Sequence, residues 1–133
     1  MKTASFTICS VVLTLAAGYA GFAQNISAKA KVIPLVSAGK DVTPVLSGPP
    51  ETVTMKSGYV ILQPGKSVGK HSTEHNEELL VVFEGQGEMM FRDGSKVPVG
   101  ANSAVYCPPQ TEHNVTNTGG GALRYVYVVA HAQ

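Results

Sequence analysis

The sequence contains no tryptophan, only two cysteines, and charged residues at just 14% of its 133 positions. Each scarcity excludes something. Ten Lys and Arg stand against nine Asp and Glu with no basic run, which removes the electrostatic footprint that nucleic-acid binding requires. Cys9 and Cys107 are too few for a disulfide framework. Long apolar runs are also scarce: one extends from Phe6 to Ala17, short of the roughly 20 residues a membrane-spanning helix needs, and no second run follows.

That single run has a different reading. Lys2 precedes it and the small residues Gly21-Phe22-Ala23 end it, which is the order of a secretory signal peptide. Cleavage is expected after Ala23, leaving residues 24–133 as a periplasmic or secreted protein with no membrane attachment. Removing residues 1–23 takes away Lys2 and Cys9, so nine cationic residues face nine anionic ones, and Cys107 is left without an intramolecular partner. An unpaired cysteine usually packs as a small hydrophobe. The remaining 110 residues are enough for one domain with one core.

Residues 24–50 are broken by Pro34, Pro44 and Gly48-Pro49-Pro50 and read as an extended arm or edge strand. Residues 51–133 read as the barrel domain. Short β-branched or aromatic runs occur at Tyr59–Leu62, Leu79–Phe83, Glu88–Phe91, Ser103–Tyr106 and Leu123–Val129, separated by Gly- and Pro-rich turns. Asp93-Gly94 predicts a two-residue hairpin turn with both residues at positive φ. No helical periodicity is sustained after residue 24. The fold class is therefore all-β, an antiparallel sandwich or barrel.

In the strand after the histidines, alternation places Glu78, Leu80, Val82 and Glu84 on one face and Leu79, Val81 and Phe83 on the other. Both faces are apolar in the middle. The strand is expected to be covered on both sides, by the lumen within and by the N-terminal arm or a second subunit outside, so a homodimer is expected.

Chemistry concentrates in residues 69–85, GKHSTEHNEELLVVFEG. His71-Ser-Thr-Glu-His75 matches the inverted zinc-protease pattern, but that motif needs one helix face and the flanks here are glycines and a strand. On a strand pair, His71 at one strand end and Glu78 opening the neighbour can converge. Glu77, adjacent to Glu78, points away. A third ligand must come from His113 or His131; His113 follows a Pro-turn that leads into a strand and can enter the same lumen. Two imidazoles and a carboxylate form a common transition-metal set that leaves positions open for water or substrate.

The spacing resembles the cupin superfamily, whose motifs are G-x5-H-x-H-x3,4-E-x6-G and G-x5-P-x-G-x2-H-x3-N. Gly65, His71, Glu78 and Gly85 are in register with the first, and Pro108, His113 and Asn117 with the second. The resemblance covers roughly residues 56–130. It implies a single-domain antiparallel β-barrel or jelly roll and makes His71, Glu78 and His113 three of the family's usual four ligands to a divalent transition metal: Mn, Zn, Fe, Ni or Cu. The family's remaining histidine is Thr73 here. Either His75 swings in to replace it, or His75 stays in a solvated loop and water completes a set of two histidines and one carboxylate. Asn102 and Gln110 replace two motif glycines; Asn tolerates positive φ, whereas Gln implies a different local turn.

By that resemblance, and with the leader that implies export, the protein is expected to be a metal-binding cupin that takes a small organic molecule. Its function is either that of a metal-dependent enzyme (an oxygenase, isomerase or decarboxylase), that of a ligand-binding module, or that of a structural cupin without metal. Tyr106, Cys107 and Glu112 are candidate proton-transfer groups near the second motif.

Overall fold

The computed structural model of the protein describes residues 28–132, so the expected leader over residues 1–23 lies outside the described residues. Eight strands are present in that span: β1 Val42–Ser47, β2 Lys56–Leu62, β3 Asn76–Glu84, β4 Gln86–Phe91, β5 Lys96–Gly100, β6 Ser103–Cys107, β7 His113–Asn117 and β8 Leu123–His131. They form two antiparallel sheets, ordered β1-β2-β8-β3-β6 and β5-β4-β7. The five predicted runs all fall inside strands. β1 lies within the segment read as an arm; it pairs along β2 as an edge strand with a register shift after Pro44, the position in a sheet that tolerates a missing N–H.

The core lies between the sheets and follows the pleat. Leu80 and Val82 of β3, Leu123 and Tyr125 of β8, Val60 and Leu62 of β2, and Met89, Val99 and Val115 of the smaller sheet are buried against one another. The alternation read for β3 holds through Val82. A register shift between Val82 and Glu84 then turns Glu84 outward, where it pairs with Arg124 at 3.3 Å. The expectation that both faces of β3 are covered does not hold within one chain: Leu79, Val81 and Phe83 are 40%, 36% and 48% exposed. β1 extends the sheet on the far side of β2, and leaves that outer face open.

Three described glycines leave no room for a side chain, Gly58, Gly85 and Gly87, the last because a Cβ would lie 2.5 Å from the Thr116 carbonyl oxygen. Gly85 takes the chain from one sheet to the other at φ 87°, and a Cβ there would lie 2.4 Å from the Ala122 carbonyl oxygen. Gly58 lies opposite Tyr127 in the β2–β8 register, and a Cβ would lie 2.5 Å from the Tyr127 ring. The end of the Tyr127 ring occupies the space a side chain at residue 58 would take.

The Asp93-Gly94 turn differs from the predicted one. Gly94 alone has positive φ, 84°; its N–H donates to the Phe91 carbonyl at 3.0 Å and Phe91 N–H donates to Ser95 at 2.9 Å. This is a longer loop, a three-residue-separated turn closed by a left-handed glycine. Asp93 keeps an ordinary φ because its carboxylate accepts from both the N–H and the hydroxyl of Ser95, at 2.9 and 2.6 Å.

Candidate metal centre

The site is assembled by an irregular ladder between residues 65–71 and β7. Gly65 N–H donates to Asn117 O and Asn117 N–H to Lys66 O; Val68 N–H donates to Val115 O; His71 and His113 exchange both backbone bonds, at 3.0 and 2.9 Å. Pairing thus places the backbone of His71 directly beside that of His113. Asn117 locks the far end, its side-chain NH₂ donating to Leu62 O and Gly121 O at 2.8 Å each while its Oδ1 accepts from Gly119 N–H at 2.9 Å. The two histidines sit on the smaller sheet's side of the cavity. Glu78 faces them from β3, held between Cys107 of β6 and Val129 of β8.

One ligand atom each from His71, Glu78 and His113 lies within 4.8 Å of the others. The imidazole rings are 4.5 Å apart, tilted by 58°. His71 Nδ1 is 3.0 Å from the Gly69 carbonyl, and His113 Nδ1 is 3.0 Å from the Thr111 carbonyl. A carbonyl only accepts, so each Nδ1 carries a proton, and Nε2 is the ring atom that can hold a lone pair for an ion. This is how histidine ligands are usually oriented from behind. His113 Nε2 approaches Glu78 Oε2 to 3.0 Å. The alignment is not that of a hydrogen bond, and both buried atoms are left without a partner.

Burial lowers the His113 pKa, but the close contact and charge of the Glu78 carboxylate, with the Thr111 carbonyl, outweigh it and raise the value above 6.5. Behind the ring, Cys107 Sγ is 3.2 Å from His113 Nδ1; burial pushes the thiol up to about 11, so it is a neutral packing group.

The structure does not bring His75 to this cluster. Thr73 Oγ1 donates to Asn76 O at 2.7 Å, Glu74 takes a left-handed φ of 52°, and the turn carries His75 to an exposed position where its carbonyl accepts from Ala132. Thr73 lines the cavity itself. Gln110 also departs from expectation: it keeps the left-handed conformation of the glycine it replaces, at φ 57°, and its N–H donates to Glu74 O at 2.7 Å. Two non-glycine residues in this conformation therefore brace each other beside the site. Asn102 has φ 62°, as its residue type allows.

None of the three candidate proton-transfer groups lines the cavity. Tyr106 is exposed and donates to Glu77 at 3.1 Å on the outer face, Cys107 lies behind His113, and Glu112 lies with Phe91, Arg92 and Thr111 beside a separate hollow. The cavity measures about 270 Å³ and is walled by valines, Leu80, Tyr125 and Tyr127 around the cluster. The two tyrosines were not singled out from sequence, because aromatic residues alternating on a strand read simply as core.

Residues 58–129, more than half of the chain, match the Cupin domain family, Cupin_2. The chain belongs to the cupin family. Among its relatives, this cupin is 33% identical over 69 residues to an oxalate-binding protein of Thermotoga maritima; the match covers 51% of this chain and 55% of that one, so the chain spans about half the length of that relative. A Cupin 2 conserved barrel domain protein from Salinispora arenicola superimposes with a TM-score of 0.65 at 22% identity, covering 78% of this chain and 92% of the other. A predicted oxalate decarboxylase from Thermotoga maritima superimposes with a TM-score of 0.57 at 20% identity, covering 77% and 100%. Both structures share the cupin fold with this chain.

The residues present in this cupin fit a divalent transition metal. Two neutral imidazoles anchored through Nδ1 and one carboxylate form a donor set suited to such ions. Glu78 Oε2 and His113 Nε2 are buried 3.0 Å apart with no other partner, an arrangement that is costly until a proton or a cation lies between them.

Proposed function

We propose that this cupin holds a divalent transition metal through His71, Glu78 and His113 and binds a small oxygen-donor molecule, a carboxylate such as oxalate, in the adjoining cavity. The observation that carries this reading is the convergence of His71, Glu78 and His113 on a cavity of about 270 Å³, with Glu78 Oε2 and His113 Nε2 buried and partnered by nothing but their own 3.0 Å contact. The oxalate-binding relative supports the ligand class. When bound, the ion supplies Lewis acidity at positions the protein leaves open.

The chain's own contribution is charge and exclusion. Among the described residues no lysine or arginine lines the cavity, whereas Glu78 contributes a carboxylate there, so an incoming carboxylate meets repulsion until metal compensates both. The apolar walls exclude water around the bound oxygens. Outside the cluster the ionisable lining groups are Tyr125 and Tyr127, whose pKa values are raised by burial and by the Glu78 charge. A free general base is thus absent from the lining, which favours binding over proton abstraction; oxygenase or isomerase chemistry is the alternative. The exposed Leu79, Val81 and Phe83 face supports a homodimer, and the leader supports export.

Calorimetric titration with oxalate tests the reading. Metal-loaded protein should bind oxalate and chelator-treated protein should not. Equal binding without metal, or no binding by protein shown to hold metal, would overturn it.

A further inference from the structure

Beyond the metal cluster, the cavity has a second set of polar groups that the proposed function does not yet use. Tyr125 is 2% exposed and Tyr127 is half-buried, and both line the cavity. They occupy successive inward positions on β8: Val129 is level with Glu78, Tyr127 with Leu80, and Tyr125 with Val82. At about 3.4 Å per residue, Tyr127 is displaced along the strand by roughly 7 Å from the level of Glu78, and Tyr125 by twice that.

A buried phenol normally finds a hydrogen-bond partner. Tyr106 does so, donating to Glu77. No hydrogen bond among the described residues involves the Tyr125 or Tyr127 hydroxyl, and both residues line the cavity. The Tyr127 ring is positioned by the missing side chain of Gly58, whose space its end occupies. The remaining walls are mostly valines, so the two hydroxyls are the polar donors available to a ligand beyond the metal cluster and Thr73. Thr73 is already committed to the Asn76 carbonyl.

We propose that the hydroxyls of Tyr125 and Tyr127 are specificity-determining donors that bind an oxygen of the ligand remote from the metal. This rests on the metal-dependent binding proposed above. It narrows the ligand class to small carboxylates with an acceptor oxygen beyond those that reach the ion. Because the donors are neutral, they select for an acceptor oxygen through hydrogen bonds rather than through a countercharge. Oxalate has such oxygens. Acetate presents a methyl group instead.

The test uses full-length protein charged with Mn²⁺, or with Zn²⁺ if Mn²⁺ does not remain bound, in wild-type, Tyr125→Phe, Tyr127→Phe and doubly substituted forms. Metal content should be unchanged in all four. Oxalate affinity should fall roughly tenfold for each hydroxyl that is used, and more in the double variant, as for hydrogen bonds to a charged acceptor. Acetate affinity should be unchanged in the same variants. The metal-free variants should melt no lower than wild type, since neither hydroxyl holds the fold together. Oxalate affinity within about twofold of wild type in the double variant, with metal retained, would overturn the proposal while leaving metal-dependent binding intact. Wild-type protein that holds metal but ignores oxalate would overturn both.

Discussion

Asn117→Ala should be among the more damaging single substitutions outside the metal cluster. The Asn117 side chain is fully buried and makes three hydrogen bonds, donating to Leu62 O and Gly121 O and accepting from Gly119 N–H. It thereby ties the end of β2 and the turn before β8 to the end of β7. Each bond contributes about 1 kcal/mol net, and a buried carbonyl left unsatisfied costs about 1–3 kcal/mol. Gly121 is exposed and water can replace its lost donor, whereas Leu62 is fully buried and its carbonyl has lost a partner from within the core. The expected loss is therefore about 2–4 kcal/mol. For a domain of this size that is a fall in Tm of roughly 10–20 °C. Urea unfolding with chelator present, followed by circular dichroism, measures it without a contribution from bound ions. Asn117→Asp should cost at least as much, because it sets a carboxylate oxygen against two carbonyls. A loss under about 1 kcal/mol for Asn117→Ala, or an aspartate variant as stable as wild type, would refute the reasoning.

Three further outcomes follow from the same geometry. In metal-free protein the raised His113 pKa means that its protonation contributes stability fully present below the unfolded value near 6.5 and lost as pH rises through the folded value. Glu78→Gln removes the opposing charge, so burial should prevail and the His113 ring should titrate lower by NMR; an unchanged titration contradicts this. Gln110→Gly relieves a left-handed residue at φ 57° and should stabilise by up to about 1 kcal/mol in urea, with destabilisation as the contrary result. Cys107, fully buried with its thiol pushed up to about 11, should resist a thiol reagent until the protein unfolds, and rapid labelling of native protein would contradict its placement.

Sequence spacing located much of this molecule. His71, Glu78 and His113 could be linked through their motif glycines, proline and asparagine because those residues carry the backbone requirements of the fold: Gly65 turns at φ 78°, Gly85 leaves no room for a Cβ, and Asn117 fastens three segments. What escaped depends on local backbone choices that residue types do not dictate. His75 is carried away from the cluster by the left-handed turn at Glu74 and the Thr73 bond to Asn76, neither of which a spacing of four residues reveals. Glu84 left its expected face because of a single register shift. Gln110 shows the converse, a conformation maintained by neighbouring hydrogen bonds against the preference of its side chain. The Tyr125-Val126-Tyr127 alternation was visible in the sequence, but whether its hydroxyls found partners could be read only from the folded chain.

Metal content of protein purified without a histidine tag tests the central claim most directly, compared across wild type and the His71→Ala, Glu78→Ala, His113→Ala and His75→Ala variants, each checked for folding by circular dichroism. We expect about one divalent ion per chain in wild type and His75→Ala and loss in the other three, since a small coordination set does not survive removal of one ligand. Wild-type protein with less than about 0.2 ion per chain that reconstitution does not raise, or a His75→Ala variant as depleted as His113→Ala, would contradict the assignment of the centre to His71, Glu78 and His113.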